Sequence, residues 1–214
     1  VTSIGDNAFG YCTALTSITL PKSLTSIGDF AFLDCYKLYE VYNKSDLTIT
    51  AGSEDNGYVA WYAKNVFTDS EGESKLKTEG DYIFYVDGED IELIAYTGNE
   101  TSITLPSDYE GKSYNIGNYA FYSCISLTSI TLPDGLTSIG DYAFSGCDSL
   151  TSITLPDGLT SIGGGTFYNC SSLTSITLPD GLTSIGNFAF DGCYALTSIT
   201  LPDGLTSIGE WAFQ

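Results

Sequence analysis

The side chains with the most chemistry to offer are six cysteines, which recur at one fixed spacing. Cys12 and Cys35 are 23 residues apart, and the same interval separates the other four: Cys124, Cys147, Cys170 and Cys193. In equivalent segments stacked at about 5 Å, Cβ atoms stay further apart than the roughly 3.8 Å that a disulfide prefers. A straight row of ligands, in a chain without His, also cannot converge on zinc as a tetrahedral site requires. We predict free thiols that act as small buried apolar residues, which suits reducing surroundings, and no metal site.

A second regular row consists of aspartates, each followed by glycine. Its members are Asp134, Asp157, Asp180 and Asp203. Carboxylates in a row are typical of calcium sites, but each repeat offers a single carboxylate where Ca²⁺ takes several oxygen ligands. Asp-Gly is an ordinary turn pair, and repulsion between neighbours is only about 0.8 kcal/mol at about 5 Å in water. We therefore interpret the row as turn residues, with weak condensation of cations as the alternative.

A third row carries hydroxyl groups and supplies the candidate binding residues. Its members are Ser129, Thr131, Ser152, Thr154, Ser175, Thr177, Ser198 and Thr200. Thr favours strands and keeps an exposed sheet soluble, which explains the residue types. An uncharged strip on a chain of net charge -20 is also a surface where a protein or glycan can dock without desolvating ions. Ice binding is a third interpretation of the regular hydroxyl spacing.

Aromatic side chains form a fourth row, with gaps at Asn7 and Gly165. The row contains Phe30, Tyr119, Tyr142, Phe188 and Trp211. Such rings can stack on sugars or anchor a partner. They can equally shield one side of a stacked structure, which is the interpretation that we favour.

The chain contains few of the residues and motifs that catalysis usually requires. There is no His to serve as a general base near neutral pH, and no nucleophile, metalloprotease, phosphate-binding or dinucleotide motif occurs. Paired acids remain possible within residues 36–112, but no pattern sets two of them at a chosen separation. We predict that the protein is not an enzyme and uses no cofactor.

Charge and hydropathy exclude two further partners. All seven cations are Lys, against 27 acids, and residues 113–214 contain no basic side chain. Nucleic acids and anionic membranes need clustered cations, so neither is expected to bind. No apolar run approaches the roughly 18 residues of a membrane span, so we expect no membrane insertion.

These rows are positioned by an internal repeat of 23 residues. The phrase L-T-S-I-T-L-P-D-G-L-T-S-I-G begins at Leu127 and recurs unchanged at three later positions, and every proline shares one phase of the repeat. Within a repeat, Leu127–Leu132 alternates as a strand, Pro133–Gly135 forms a turn and Leu136–Ile139 is a second extended run. Asp141 is predicted to cap one turn of 3₁₀ or α helix at Tyr142–Gly146. Repeats of this length predict a solenoid in which each coil stacks on the next.

The period breaks in the middle of the chain. Tyr82–Val86 and Ile91–Tyr96, joined by a Gly-containing turn, predict a β-hairpin, and a four-residue insertion falls within Ser107–Tyr114. The polar stretch Thr68–Gly80 is predicted to be a loop. We divide the chain into leucine-rich repeats at 1–42, an irregular insertion packed in the same solenoid at 43–100, and further leucine-rich repeats at 101–214. Because both ends interrupt a repeat, we expect a fragment of a longer protein.

The full repeat is C-x-x-L-x-x-I-x-L-P-x-x-L-x-x-I-G-x-x-A-F-x-x-C. It is met at Cys12–Cys35, Cys124–Cys147 and Cys170–Cys193, and at Cys147–Cys170 with Thr166 in place of Ala. The phrase resembles the leucine-rich repeats of BspA-like type, found in surface and secreted proteins of anaerobic bacteria and some mucosal parasites. That resemblance implies a β-rich, right-handed, curved solenoid with its parallel sheet on the concave side, and an extracellular or cell-surface location.

The resemblance also implies a function. It indicates a non-catalytic protein- or glycan-binding module that adheres to host or neighbouring-cell components. The alternative is a passive structural spacer that presents another domain.

Overall fold

A computed structural model describes residues 1–68 and 72–214. The chain forms two compact units, Val1–Ser74 and Lys75–Gln214. The strands of the first unit are β1 Ser3–Ile4, β2 Ser17–Leu20, β3 Ser26–Ile27, β4 Glu40–Asn43 and β5 Asn65–Phe67. Those of the second are β6 Leu76–Glu79, β7 Tyr82–Asp87, β8 Asp90–Tyr96, β9 Ser102–Thr104, β10 Asn115–Ile116, β11 Ser129–Thr131, β12 Ser152–Thr154, β13 Ser161–Ile162, β14 Ser175–Thr177, β15 Ser184–Ile185 and β16 Ser207–Ile208.

Residues one repeat apart pair with each other in parallel sheets, so the predicted solenoid is confirmed. In the second unit, the first strands of four successive coils form a sheet of order β14-β12-β11-β9, and short second strands form the sheet β13-β15-β16. Ser129 pairs with Ser152, and Ser152 pairs with Ser175. The first unit has the sheets β1-β3 and β2-β4-β5, which are also parallel. The same position of successive coils therefore lies in one spatial column.

The core follows the same rule and contains a stack of phenylalanine rings. Phe144 and Phe167 lie parallel with centroids 5.5 Å apart, and Phe167 and Phe190 are 5.3 Å apart. Phe9 and Phe32 repeat the arrangement in the first unit at 4.8 Å. All of these rings except Phe9 are buried, and they lie among buried Leu and Ile columns. Stacking of coils therefore buries side chains that one coil alone would leave exposed.

The predicted helical turn is wrong, because two residues in it adopt the left-handed backbone conformation. Tyr142 has φ +55° and Gly146 has φ +69°, whereas a right-handed helix needs negative φ throughout. The segment is a run of turns, and no residue in 1–68 or 72–214 is helical. The Asp141 carboxylate does not cap its own coil either, since it accepts a hydrogen bond from the Gly164 N–H of the next coil at 2.7 Å.

The predicted hairpin is confirmed and is larger than expected. Strands β7 and β8 pair antiparallel around a two-residue turn at Gly88 and Glu89, with a bulge between Ile83 and Phe84. Strand β6 adds a third strand inside the stretch predicted to be a loop, so that prediction is wrong for Leu76–Glu79. Residues 69–71 of the predicted loop lie outside the described part of the chain. Strand β8 also pairs parallel with β10 and so supports the next coil.

The four-residue insertion forms a small turn of its own. Tyr109 and Lys112 exchange backbone hydrogen bonds of 2.8 and 3.0 Å, and Glu110 and Gly111 between them both have positive φ. The Tyr109 ring packs on Phe84 with centroids 4.7 Å apart. The insertion therefore closes over the side chains of the hairpin without disturbing the register of the coils that follow.

Candidate binding surface

The predicted hydroxyl row lies on one face of the sheet β14-β12-β11-β9. Six of its members lie on β11, β12 and β14, and Ser198 and Thr200 are exposed residues outside any strand. Ser129 is half-buried and the other seven are exposed, while the intervening Ile130, Ile153 and Ile176 are buried. We call the outward residues of these four strands, with Ser198 and Thr200, the hydroxyl face. It brings the predicted binding residues together; that they bind a ligand stays a prediction.

One rung of this face was not predicted from the sequence. Ser102 and Thr104 of β9 pair in register with Ser129 and Thr131, and the Ser102 and Ser129 hydroxyl oxygens lie 2.7 Å apart. The signal was present, since residues 101–106 read T-S-I-T-L-P like every later copy. This copy was not recognised because it lacks the cysteine and because the spacing around it is shifted.

A ladder of threonines stiffens the border of the hydroxyl face. Thr128 donates its hydroxyl hydrogen bond to the Thr101 carbonyl at 2.7 Å, Thr151 donates to Thr128 at 3.2 Å and Thr174 donates to Thr151 at 3.0 Å. Each hydroxyl ties one coil to the coil before it. The spacing of the rungs is therefore held by side chains as well as by the parallel strands.

The corresponding face of the first unit is covered in part, at β4 and β5, whereas Ser17 and Thr19 of β2 are exposed. Glu40 and Tyr42 pair with Ser17 and Thr19 in register, which places them at hydroxyl-face positions. The Glu40 carboxylate is fully buried and accepts hydrogen bonds from the Tyr42 hydroxyl at 2.8 Å and the Ser74 hydroxyl at 2.9 Å. Gly72 lies directly against the Phe67 ring, where a Cβ would clash. A segment of the chain's own backbone, residues 72–74, thus lies on this face.

The aspartate row runs along one end of the hydroxyl face. All four aspartates are exposed. The turns that carry them stack closely, because a Cβ on Gly181 would lie 3.6 Å from the Asp157 carbonyl oxygen and one on Gly204 would lie 3.6 Å from that of Asp180. Among residues 1–68 and 72–214, no three His, Cys, Asp or Glu side chains are grouped to hold a metal ion.

The six cysteines are free thiols that point toward the core, as predicted. Four of them, at 35, 147, 170 and 193, donate a hydrogen bond to a phenylalanine carbonyl 26 residues earlier; Cys170, for example, bonds to the Phe144 carbonyl at 3.2 Å. Burial is the main cause that raises the pKa of Cys35 to about 11 and that of Cys193 to about 12. These thiols are protonated at neutral pH, so they are poor nucleophiles.

The raised thiol pKa values make folding sensitive to alkaline pH. Because the pKa in the folded state lies above the ordinary value of 9.0, the stabilisation is fully present below pH 9 and is lost as pH rises through about 11 to 12. We expect the urea midpoint to fall between pH 8.5 and about 10.5, and to fall less in the variant Cys170→Ser/Cys193→Ser. An equal fall in both proteins would show that other groups, such as the buried tyrosines, cause it.

The aromatic row lies at positions with a left-handed backbone conformation, which explains why Asn and Gly can occupy its two gaps. All seven positions, Asn7, Phe30, Tyr119, Tyr142, Gly165, Phe188 and Trp211, have φ between +55° and +60°, a region that costs other residues about 1 kcal/mol and that Gly and Asn tolerate. Tyr119 and Tyr142 stack at 5.3 Å, and the Tyr142 ring lies over Gly165. Ring contact with the neighbouring coil supports the shielding interpretation for Tyr119 and Tyr142, whereas Phe30 and Trp211 are 47% and 62% exposed.

No helix in the described ranges, 1–68 and 72–214, has the length and apolar character to cross a membrane.

A family model, the BspA type leucine rich repeat region, matches residues 1–104 and 114–214 in six copies. A leucine-rich repeat protein of T. pallidum is similar at 33% identity and a TM-score of 0.61, over 64% of this chain and 65% of that one. A leucine-rich repeat protein of Bacteroides ovatus is 29% identical, with a TM-score of 0.49, over 98% and 49%. A leucine rich cell surface protein of Faecalibacterium prausnitzii is 22% identical, with a TM-score of 0.48, over 98% and 69%.

The chain spans less than two thirds of the length of the first two of these structures. No match to a curated protein was found.

Proposed function

Because this chain belongs to the BspA-type leucine-rich repeat family, we propose that it is a non-catalytic interaction module whose hydroxyl face docks a partner. One observation carries the proposal: four rungs of hydroxyls, all exposed except that of the half-buried Ser129, stand in register on β9, β11, β12 and β14 and carry no charge. Docking on such a face desolvates hydroxyls and no ions, so it avoids the largest cost of burying polar groups. The partner is a protein, or a glycan that offers the same hydrogen-bonding groups.

The proposed setting is the cell surface or the surrounding medium, with adhesion to host or neighbouring-cell components as the role. This setting is supported by the resemblance to BspA-like surface and secreted proteins. The absence of His removes the usual general base, which supports a binding role over a catalytic one. A passive spacer remains the alternative, because exposed hydroxyls also keep a sheet soluble.

The test places charge on the hydroxyl face. The variant Thr131→Lys/Thr154→Lys/Thr177→Lys puts three long cations at equivalent positions of β11, β12 and β14. Binding to an array of matrix proteins, mucins and glycans is measured beside the unchanged chain, and we expect the variant to lose at least about tenfold in affinity for the bound component. That corresponds to about 1.4 kcal/mol.

A matched control carries the same added charge elsewhere. Ser138→Lys/Ser161→Lys/Ser184→Lys alters side chains at and beside the second-strand sheet, which are exposed or half-buried, and is expected to bind like the unchanged chain. Circular dichroism verifies that both variants are folded. If no component of the array binds the folded protein, the proposed binding function is contradicted and the spacer remains. If both variants lose the same affinity, the hydroxyl face is not the binding surface.

A further inference from the structure

One position of the repeat forms a column of hydrogen bonds that join successive coils. It is the residue after the glycine that follows the second strand. In the second unit, its side-chain oxygen accepts a hydrogen bond from the backbone N–H of the same position in the next coil. The bonds join Asn118 to Asp141 at 2.8 Å, Asp141 to Gly164 at 2.7 Å and Asn187 to Glu210 at 2.8 Å. We call this row the amide column.

The amide column is interrupted at Gly164, which has no side chain to accept the next bond. The backbone N–H of Asn187 therefore lacks the acceptor that its equivalents have, and nothing else in residues 1–68 and 72–214 accepts a hydrogen bond from it. An unpaired backbone N–H needs a partner from solvent or from a ligand.

Packing does not require the glycine at this position. A Cβ on Gly164 would lie 3.6 Å from the Asn187 carbonyl oxygen and 3.6 Å from the Asp141 Oδ1 atom, which is ordinary contact, and the φ of Gly164 is not positive. An Asp or Asn would fit here as it does at Asp141 and Asn187. The chain thus leaves a notch in the place of one polar side chain.

The notch lies in an open groove on the second-strand sheet. The groove has a volume of about 460 Å³, runs along β15 and β16, and is lined by Asp141, Gly164 and Asn187 among others. That volume is within the range of small-molecule sites, about 300–1,000 Å³. The hydroxyl face belongs to the first-strand sheet, so the two surfaces are formed by different strands.

The groups at the notch require a ligand that both accepts and donates hydrogen bonds. The Asn187 N–H donates, so the ligand atom must accept. The exposed Asp141 carboxylate accepts, so the same atom gains by donating to it. A hydroxyl group does both, whereas an anion would be repelled by Asp141 and an ammonium group has no acceptor for the Asn187 N–H.

From the interrupted column and the groove together, we propose that the second-strand sheet carries a subsite for a neutral sugar at Gly164. One sugar hydroxyl takes the place of the missing side chain, accepting from the Asn187 N–H and donating to the Asp141 carboxylate. The Ser207 hydroxyl, which also lines the groove, offers a further polar contact to the same ring. The subsite goes beyond the proposed function and does not depend on it.

The test follows the backbone amide of Asn187 by nuclear magnetic resonance in the full ¹⁵N-labelled chain. The probes are glucose, galactose, mannose and N-acetylglucosamine, with N-acetylneuraminic acid as the anionic comparison. We expect at least one neutral sugar to shift the Asn187 amide in a saturable way. The anionic sugar should bind at least about tenfold more weakly, because it approaches the Asp141 carboxylate.

The main variant fills the notch from within. Gly164→Asn supplies the missing acceptor, so it should lower the affinity for the neutral sugar at least about tenfold without lowering the urea midpoint. Gly181→Asn is the matched control. A Cβ there also has its nearest contact at 3.6 Å, in the turn after β14, and the affinity should change by less than about twofold.

A second variant tests the carboxylate without filling the notch. In Asp141→Asn the side-chain oxygen can still accept from the Gly164 N–H, but the charged acceptor is lost. Hydrogen bonds to charged groups are the stronger ones, so affinity for the neutral sugar should fall while the anionic sugar should bind more tightly than before. This pair of opposite changes does not follow from a loss of folding.

Two outcomes would overturn the inference. If no neutral sugar shifts the Asn187 amide, solvent occupies the notch and there is no subsite. If a sugar binds but Gly164→Asn does not weaken it, the sugar binds elsewhere.

These outcomes are distinct from those of the hydroxyl-face test. Because Ser184 also borders the groove, a glycan of the array that is lost only in the serine-to-lysine variant binds here and not on the hydroxyl face. A component lost only in the threonine-to-lysine variant supports the proposed function, whatever the Asn187 amide shows.

Discussion

Replacing Phe167 with Ala is expected to lower the free energy of unfolding of the second unit by about 3–5 kcal/mol, the range found when a buried aromatic side chain is truncated to Ala. Phe167 is fully buried and lies between two parallel rings, at 5.5 Å from Phe144 and 5.3 Å from Phe190. Truncation leaves a cavity that neither neighbour can fill, because each ring is held by its own coil. The loss combines lost burial with lost contacts between rings.

The measurement is urea unfolding followed by tryptophan fluorescence. The chain has two tryptophans, Trp61 in the first unit and Trp211 in the second, so Trp61→Phe leaves Trp211 as the reporter of the second unit. Tyr194→Ala serves as the control, because Tyr194 is 81% exposed and its loss should change stability by less than about 0.5 kcal/mol. A loss below about 1 kcal/mol for Phe167→Ala would contradict the role of the phenylalanine stack.

The second large effect is expected from a single added methyl group. A Cβ on Gly186 would lie 2.6 Å from the Gly164 nitrogen and 2.7 Å from the Gly163 carbonyl carbon of the preceding coil. Both are backbone atoms, which cannot rotate away as a side chain can. Gly186→Ala should therefore push two coils apart and cost about 3 kcal/mol, at the upper end of the usual range for overpacking.

The chain supplies a matched control for this substitution. Gly5 occupies the same phase of the repeat, but a Cβ there meets nothing within 4 Å and its φ is not positive. Gly5→Ala should be neutral or stabilise by up to about 1 kcal/mol, because Ala restricts the unfolded chain. Urea midpoints of the two variants give the comparison. Similar losses at both positions would mean that local flexibility, and not contact between coils, requires glycine here.

Most contacts between coils could be predicted from the sequence, because residues at the same position of successive repeats lie next to each other in the structure. Equal coils in register place identical residues on top of one another, so the Phe144–Phe167 stack, the inward thiols and the outward hydroxyls follow from the period of 23 alone. The hairpin followed from strand-forming residues around a Gly turn. For each of these features, the determining signal lies within one repeat or one short segment.

Tertiary structure decided the features whose cause lies in a neighbouring coil. Tyr142 follows Asp141 in a pattern typical of a helix start, yet contact with the next coil holds it at φ +55° and directs the Asp141 carboxylate to Gly164. The polar residues of β6 form a strand because β7 offers them an edge. Residues 72–74 cover part of the face of the first unit through contacts with Glu40 and Phe67, and these contacts do not recur in other repeats.

The sequence by itself therefore determined the stacking, the core and the composition of the hydroxyl face, since these depend on a regular spacing of residue types. Only the tertiary structure decided that part of the first unit's face, at Glu40 and Phe67, is covered by the chain's own residues 72–74. The reason is physical: a repeat specifies contacts that recur in every coil, whereas the covering contact between Ser74 and Glu40, 34 residues apart, is formed by residues outside the regular repeats. A contact that occurs once and does not recur from one repeat to the next has no signature in the repeat.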